Sequence, residues 1–242
     1  MKRIPMLAGS RLAVATAPDD ALVLTPPPPR RQIADVGAAV RDALRFPLSG
    51  EPLEALVSPG ARATIVVEPA ALPLPVTQHE PRQAAIAATV DELARVGVPV
   101  ERQTILVAGG LARRAGRHEL EALVTPGFAR RFRGRVDVHD AESDELVALP
   151  TGSSREVRVN RALVDADVVV TVSAAESVIH GGPGMFVAAA DAATCRAADA
   201  FSLLETGASQ GWQLAISIER ALARRAPLLG ASLVLTLSLI HI

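Results

Sequence analysis

Two glycine-bearing loops and two histidines hold most of the chemistry in this sequence. The first loop, AGGLARRAG at residues 108–116, directly follows the apolar run TILVA. Its backbone N–H groups, with Arg113 and Arg114, are of the kind that holds a phosphate or carboxylate. A plain strand-to-helix turn accounts for the same residues. The pattern is neither GxGxxG nor the Walker form with Lys and Ser/Thr. The second loop, HGGPG at residues 180–184, comes soon after VVVTV. Its glycines, Gly184 among them, allow close approach of backbone to a ligand, although Gly-Gly-Pro-Gly is also ordinary turn chemistry. His180 in this loop is the best catalytic candidate, because imidazole can take and give a proton near neutral pH. His139 stands beside Asp140 in VHDAES. Buried with that carboxylate it could titrate near neutrality, but a structural hydrogen-bonding role is the favoured reading. His79 and His118 sit near helix starts, as solvated or capping residues.

Other chemistries find no support. No HExxH or paired-histidine spacing occurs, so a metal held by protein side chains alone is not expected. A GxSxG elbow is absent, and Cys195 lies in an alanine-rich helical stretch, which argues against a serine or cysteine hydrolase. With one cysteine an intrachain disulfide is impossible, and a reducing, cytoplasmic location fits. The formal net charge of -1, with acids and bases well mixed, gives no reason to expect nucleic acid or an anionic membrane as partner. We read neither a signal peptide nor a spanning segment. The basic residues are almost all arginine, and Lys2 is the only lysine.

The loops need elements to position them. Residues 11–25 hold two apolar runs around Pro18, Asp19 and Asp20, which reads as a hairpin, and Pro26 to Pro29 form a rigid extended spacer. Ile33, Val36, Val40 and Leu44 fall at helical spacing, stopped by Pro47. A rhythm of strands and helices follows. Strands are expected at residues 63–67, 104–108, 135–139 and 168–172, with a short one at 156–159. Helices are expected from Pro81 to about Gly97, at 118–123 and at 216–226, with a last strand at 232–236. Alternating strands and helices imply an α/β, Rossmann-like fold, a mostly parallel sheet with helices on both faces. Ligands in such sheets lie at the carboxyl ends of the strands. Those ends are Glu68-Pro69, Gly109-Gly110, His139-Asp140 and Ser173 onward.

The order of these pieces resembles the N-terminal domain of the nickel-pincer lactate racemase family, over about residues 22–236. The most specific stretch is residues 139–172, HDAESDELVALPTGSSREVRVNRALVDADVVVTV, which is similar to the family run HDA, L-G-T-T-S, V-N-R and ADLVI. His139, Asp140, Ala141, Gly152, Ser153, Val159, Asn160, Arg161, Ala166 and Asp167 carry that likeness. Upstream, ATIVVEPAALPLP resembles a strand followed by D-D-x-T-R-P-T-P through Pro73 and Pro75, and TILVAGGLAR resembles T-I-L-V-A-T-G-T-H-R through Gly110 and Arg113. After the 168–172 strand, Glu176, His180 and Gly184 match E-P-H-x-x-A-G-x-S-G-G-x-K with two residues inserted before His180.

The resemblance implies a nickel ion held in a pincer made from a pyridinium nucleotide that a lysine carries covalently. It implies two histidines acting on opposite faces of a 2-hydroxy acid, and an arginine holding its carboxylate. This sequence departs from that set. The G-T-H-R histidine falls on Ala112, the T-R-P-T-P arginine on Leu72, and the cofactor lysine on Ala190 or a neighbouring alanine. Covalent attachment has no suitable lysine, so no cofactor is assigned. We therefore expect a divergent racemase-like domain, lacking standard racemase activity, that binds a small-molecule carboxylate or nucleotide. Its candidate residues are Gly110, Arg113, His139, Glu176 and Gly184 for binding and His180 for catalysis, with no metal ligands. The alternatives are a 2-hydroxy acid isomerase with non-covalent cofactor, and a nucleotide-binding α/β module without catalysis. Residues 237–242, LSLIHI, match the translation of a transposon-end sequencing adapter. The expected organisation is thus strands and spacer at 1–30, the racemase-like domain at 31–236, an adapter tail, and a missing C-terminal domain as the natural partner.

Overall fold

The computed structural model describes residues 1–8, 11–23, 33–69, 80–112, 115–152, 155–175, 182–198 and 209–234. Its centre is a five-stranded parallel sheet of β3 (Ala63–Val67), β4 (Gln103–Val107), β5 (Arg135–Val138), β8 (Val168–Ala175) and β9 (Leu228–Val234). The order across the sheet is β5-β4-β3-β8-β9. Every residue of β3 is buried, because helices cover both faces of a central parallel strand. The period-two pleat then divides its apolar run. Ile65 and Val67 join Ile105, Val107, Val170 and Val172 on one face, while Val66 joins Leu106 and Val169 on the other. Each such side chain contributes on the order of 1.5–3 kcal/mol of burial, so a one-residue slip would cost most of the core.

The first face is covered by α1 (Val36–Arg45), α3 (Pro81–Arg95), α4 (Arg117–Leu123) and α5 (Pro126–Arg131). The Asp35 carboxylate caps α1, accepting from Ala38 N–H at 2.8 Å, and Val40 and Leu44 reach the core. Pro81 opens α3, and Gly97 at φ +97° allows the chain to turn out of it. Glu92 of α3 is almost fully buried between Arg45 of α1 and Arg95, tying the two helices together. A short α2 (Leu53–Leu56) contributes Leu53. The second face is covered by α6 (Arg161–Val164), α7 (Pro183–Val187) and α9 (Gln210–Ala223), which bury Leu163, Phe186 and Ile218. Between β5 and β8, β6 (Val147–Ala148) and β7 (Arg158–Val159) form a small antiparallel pair. The helix α8 (Ala192–Ala197) follows α7.

The structure moves three expected elements. The hairpin pairs β1 (Lys2–Ala8) with β2 (Arg11–Ala17), Ala8 opposite Arg11, instead of spanning residues 11–25. The last helix begins at Gln210 because Ser209 caps it, its hydroxyl accepting from Trp212 N–H. The last strand begins at Leu228, directly after Pro227, not at residue 232. The Pro26 to Pro29 spacer and residues 237–242 lie outside the described residues.

Candidate functional site

From β3 the chain runs to β4 on one side, and from β8 it runs to β9 on the other. The order therefore reverses between β3 and β8. A crevice outside the carboxyl ends of strands at such a switch point is where open α/β sheets bind ligands. Glu68 and Pro69 follow β3, the residue 108–110 turn follows β4, and His139 follows β5. Ser173 of β8 is buried, its hydroxyl 3.0 Å from that of Ser232 in β9.

The glycine turn after β4 is a packing joint. Gly110 has φ +56°, and its N–H donates to the Ala188 carbonyl at 2.8 Å. A Cβ there would lie 3.6 Å from Ala188 Cα and 3.9 Å from Cys195 Sγ. Those are ordinary contact distances, so it is the left-handed backbone conformation that favours glycine. The Gly110 N–H is committed to protein, which removes it from the phosphate cradle that the sequence suggested. Arg113 and Arg114 lie outside the described residues.

His139 is 3% exposed. Its Nε2 lies 2.9 Å from the Ala190 carbonyl and its Nδ1 lies 3.5 Å from Asn160 Nδ2. A carbonyl can only accept, so Nε2 carries the proton and Nδ1 faces the amide as an acceptor. Burial pushes the imidazole below its ordinary value, against the opposing pull of the Ala190 carbonyl and of Asp140, Asp137 and Asp191. The ring bonds to backbone far along the chain, the structural hydrogen-bonding role that the sequence favoured.

Together these contacts stitch one segment into place. Consecutive carbonyls of Ala188, Ala189 and Ala190 accept from Gly110 N–H, Asn160 N–H and His139 Nε2–H at 2.8, 2.9 and 2.9 Å. Asp191 exchanges backbone and side-chain bonds with Arg158 and caps α8 through Thr194, and Ala192 N–H donates to the Ala141 carbonyl. The His139-Asp140-Ala141 and Val159-Asn160-Arg161 motifs thus do one job, holding residues 188–192 against the carboxyl end of the sheet. Gly184 sits inside α7, where its carbonyl accepts from Ala188 N–H. The remaining candidates, His180 and Glu176, together with His79 and Leu72, lie outside the described residues.

Ala188 packs on Gly110, and Ala189 and Ala190 are fully buried with their carbonyls engaged. Lys2, the only lysine, belongs to the N-terminal hairpin, with Nζ 3.2 Å from the Ala21 carbonyl. These residues do not fit a covalently anchored pincer nucleotide. Among the described residues no group of three or more His, Cys, Asp or Glu could hold a metal ion. Cys195 donates to the Val187 carbonyl at 3.1 Å, and burial raises its thiol to about 11, far from a nucleophile's range.

One residue of this region escaped the sequence reading. Arg82, in the first turn of α3, is 5% exposed and points back to the carboxyl end of β3. Nothing in its spacing marks it; only a buried arginine in three dimensions does. A cavity of about 590 Å³ lies elsewhere, against the amino ends of β3 and β4. Its arginines Arg62 and Arg135 are paired with Asp167 and Asp137, and it mixes both charges without convergence on one ligand chemistry.

Comparison with known proteins agrees with the architecture. The model of the lactate racemase N-terminal domain matches residues 9–187. The lactate racemase apoprotein from Thermoanaerobacterium thermosaccharolyticum superposes with a TM-score of 0.65 at 18% identity, over 96% of this chain and 56% of that one. A crystal structure of a Thermotoga maritima protein gives 0.56 at 16% identity, over 84% of this chain and 51% of that one. The chain therefore spans about half the length of these solved structures. No curated protein matches it in sequence. With its family model covering well over half of its residues, the chain belongs to the lactate racemase N-terminal domain family.

Proposed function

We propose that this chain is a divergent lactate racemase-like domain that binds a small carboxylate or nucleotide in the crevice between β3 and β8, without the family's lysine-anchored nickel chemistry. One observation carries the proposal: beyond Lys2 there is no lysine, and the segment where the cofactor lysine would fall is a run of buried alanines. The arginine expected to hold a substrate carboxylate falls on Leu72, and Arg82 is no substitute, because Glu80 occupies its fork. His180, Glu176 and Arg113 remain the candidates for contacting a ligand. A cytoplasmic location fits a chain whose single cysteine is a free buried thiol. Among the described residues no helix is long and apolar enough to cross a membrane.

The test is purification from nickel-supplemented cells, with metal analysis, chiral assay of L- and D-lactate, and thermal shift with lactate and AMP. We expect no stoichiometric nickel, no racemisation, and a rise in melting temperature with one ligand. Bound nickel with racemisation would overturn the proposal in favour of a 2-hydroxy acid isomerase holding its cofactor non-covalently. In that event turnover should fall sharply in His180→Ala.

A further inference from the structure

We infer that His139 and Asn160 form a proton-controlled latch on residues 188–192, closed only while the imidazole is neutral. Asn160 is the N-cap of α6, and its Oδ1 accepts from Ala162 N–H at 2.9 Å. That bond fixes the amide, so Nδ2 and not Oδ1 faces His139 Nδ1, 3.5 Å away. On the other side Nε2 meets the Ala190 carbonyl at 2.9 Å, and a carbonyl can only accept. Two independent neighbours thus demand one tautomer, with the proton on Nε2 and a lone pair on Nδ1. A second proton would set an N–H against an NH2 group. The held segment bonds to the same region through the Ala188 and Ala189 carbonyls, which accept from Gly110 and Asn160 N–H, and through Ala192 N–H, which donates to Ala141. Ala190 also bridges to Val159 of β7. Lifting the segment breaks these bonds together and opens the ring to water.

The surrounding charges do not replace the acceptor that a second proton would need. Asp137 and Asp140 stand at the ring's own strand end and Asp191 on the held segment, and all three pull towards protonation. Burial outweighs them and holds the imidazole below its ordinary 6.5. Asp137 pairs with Arg135, Asp140 accepts from Glu142 N–H, and Asp191 accepts from Arg158 N–H, Thr194 N–H and the Thr194 hydroxyl. From α8, the Cys195 thiol donates to the same Ala190 carbonyl at 3.5 Å and stays neutral, its value raised to about 11. Arg196 of α8 pairs with Glu142 at the surface, and Arg158 of β7 sends Nη2 to the Leu146 carbonyl. Towards β4 the ring meets a small apolar gap lined by Pro69, Val107 and Ala112. In the open state the ring regains its ordinary value, so that state binds the proton more readily. Opening is therefore insensitive to pH above 6.5 and is favoured as pH falls below it, by tenfold per pH unit at most. An aspartate at position 160 keeps the α6 cap but turns an acceptor towards Nδ1. The closed ring then prefers the charged form, and the sign of the pH dependence reverses.

The experiment uses the full chain, wild type and Asn160→Asp, with amide hydrogen exchange read by NMR from pH 7.5 to 5.5. Rates are corrected for the intrinsic pH dependence of exchange. The Gly110, Asn160 and Ala192 amides report the latch, and the β3 and β8 amides report global unfolding. In wild type the latch amides should be less protected than the core and less sensitive to low urea, because local opening exposes little surface. Their protection should fall by up to about tenfold between pH 7.5 and 5.5. In Asn160→Asp it should rise over the same interval. At pH 6.5 the ring nitrogens should carry a proton on Nε2 alone in wild type, and on both in Asn160→Asp. The latch is overturned by wild-type protection that ignores pH, by latch amides that match the core in protection and urea response, or by an equal fall in Asn160→Asp. Should Asn160→Asp fail to fold, His139→Gln decides: its latch amides should lose their pH dependence, and an undiminished fall refutes the idea. No ligand enters the measurement, so its outcome is separate from that of the ligand reading above.

Discussion

Lowering the pH from 7.5 to 5.5 should destabilise this protein through His139, and replacing that residue by glutamine should remove the effect. The folded imidazole is 3% exposed, gives its Nε2 proton to the Ala190 carbonyl, and is held by burial below its ordinary value of 6.5. A depressed value in the fold means that the unfolded chain binds the proton more readily. The stabilisation is therefore complete above the ordinary histidine value and is lost as pH falls below it. While the ring stays neutral in the fold, the loss reaches at most ~1.4 kcal/mol per pH unit, or ~1.4 kcal/mol between pH 7.5 and 5.5. At pH 7.5, His139→Gln should itself cost about 1–3 kcal/mol, since it disturbs a buried hydrogen bond. Urea unfolding of both proteins at pH 7.5, 6.5 and 5.5 supplies the comparison, and subtracting the variant's curve cancels the carboxylates. Parallel pH dependences would refute the reasoning. His139 would then exchange its proton freely in the fold and return to candidacy as an acid–base group.

Three further outcomes follow from particular contacts. Gly134→Ala places a Cβ against the Gln103 carbonyl oxygen and the Phe132 ring, and 2.6 Å from the Val100 carbonyl oxygen. Urea unfolding should show a loss of about 3 kcal/mol from this overpacking. Glu92→Gln should cost about 1–3 kcal/mol at neutral pH, because it breaks a buried carboxylate away from Arg45 and Arg95. The Arg45 and Arg95 bonds hold this carboxyl below its ordinary 4.5 despite burial, so the contribution is present above 4.5 and fades as pH falls below it. Wild-type stability between pH 5 and 3 should thus fall more steeply than that of the variant. Cys195, with its thiol raised to about 11, should react with iodoacetamide at pH 7.5 at least about a hundredfold more slowly folded than in urea.

The sequence by itself determined the sheet and the family resemblance. The runs ATIVV and VVVTV are too uniformly apolar for a half-exposed strand, and both became central strands because burial on two faces leaves no polar position. Helix limits were legible where a proline or glycine acted locally, as at Pro81 and Gly97, while the caps at Asp35 and Ser209 were not read from the chain. The absence of lysine after Lys2 is likewise a fact that no fold can change. Long-range contacts decided the rest. His139 beside Asp140 reads in one dimension as a structural hydrogen-bonding residue whose partner is unknown. The strand-to-loop transition at β5 sends its ring to a carbonyl 51 residues away. Gly110 looks like a phosphate loop until Ala188 is found against it. Arg82 has a local partner in Glu80, but its partners at Glu68 and Pro69 are brought to it only when β3 and α3 pack. Periodicity and capping act over a few residues and can be read from the chain. The partner of a buried polar group is fixed by desolvation in the assembled core, and only the tertiary structure contains it.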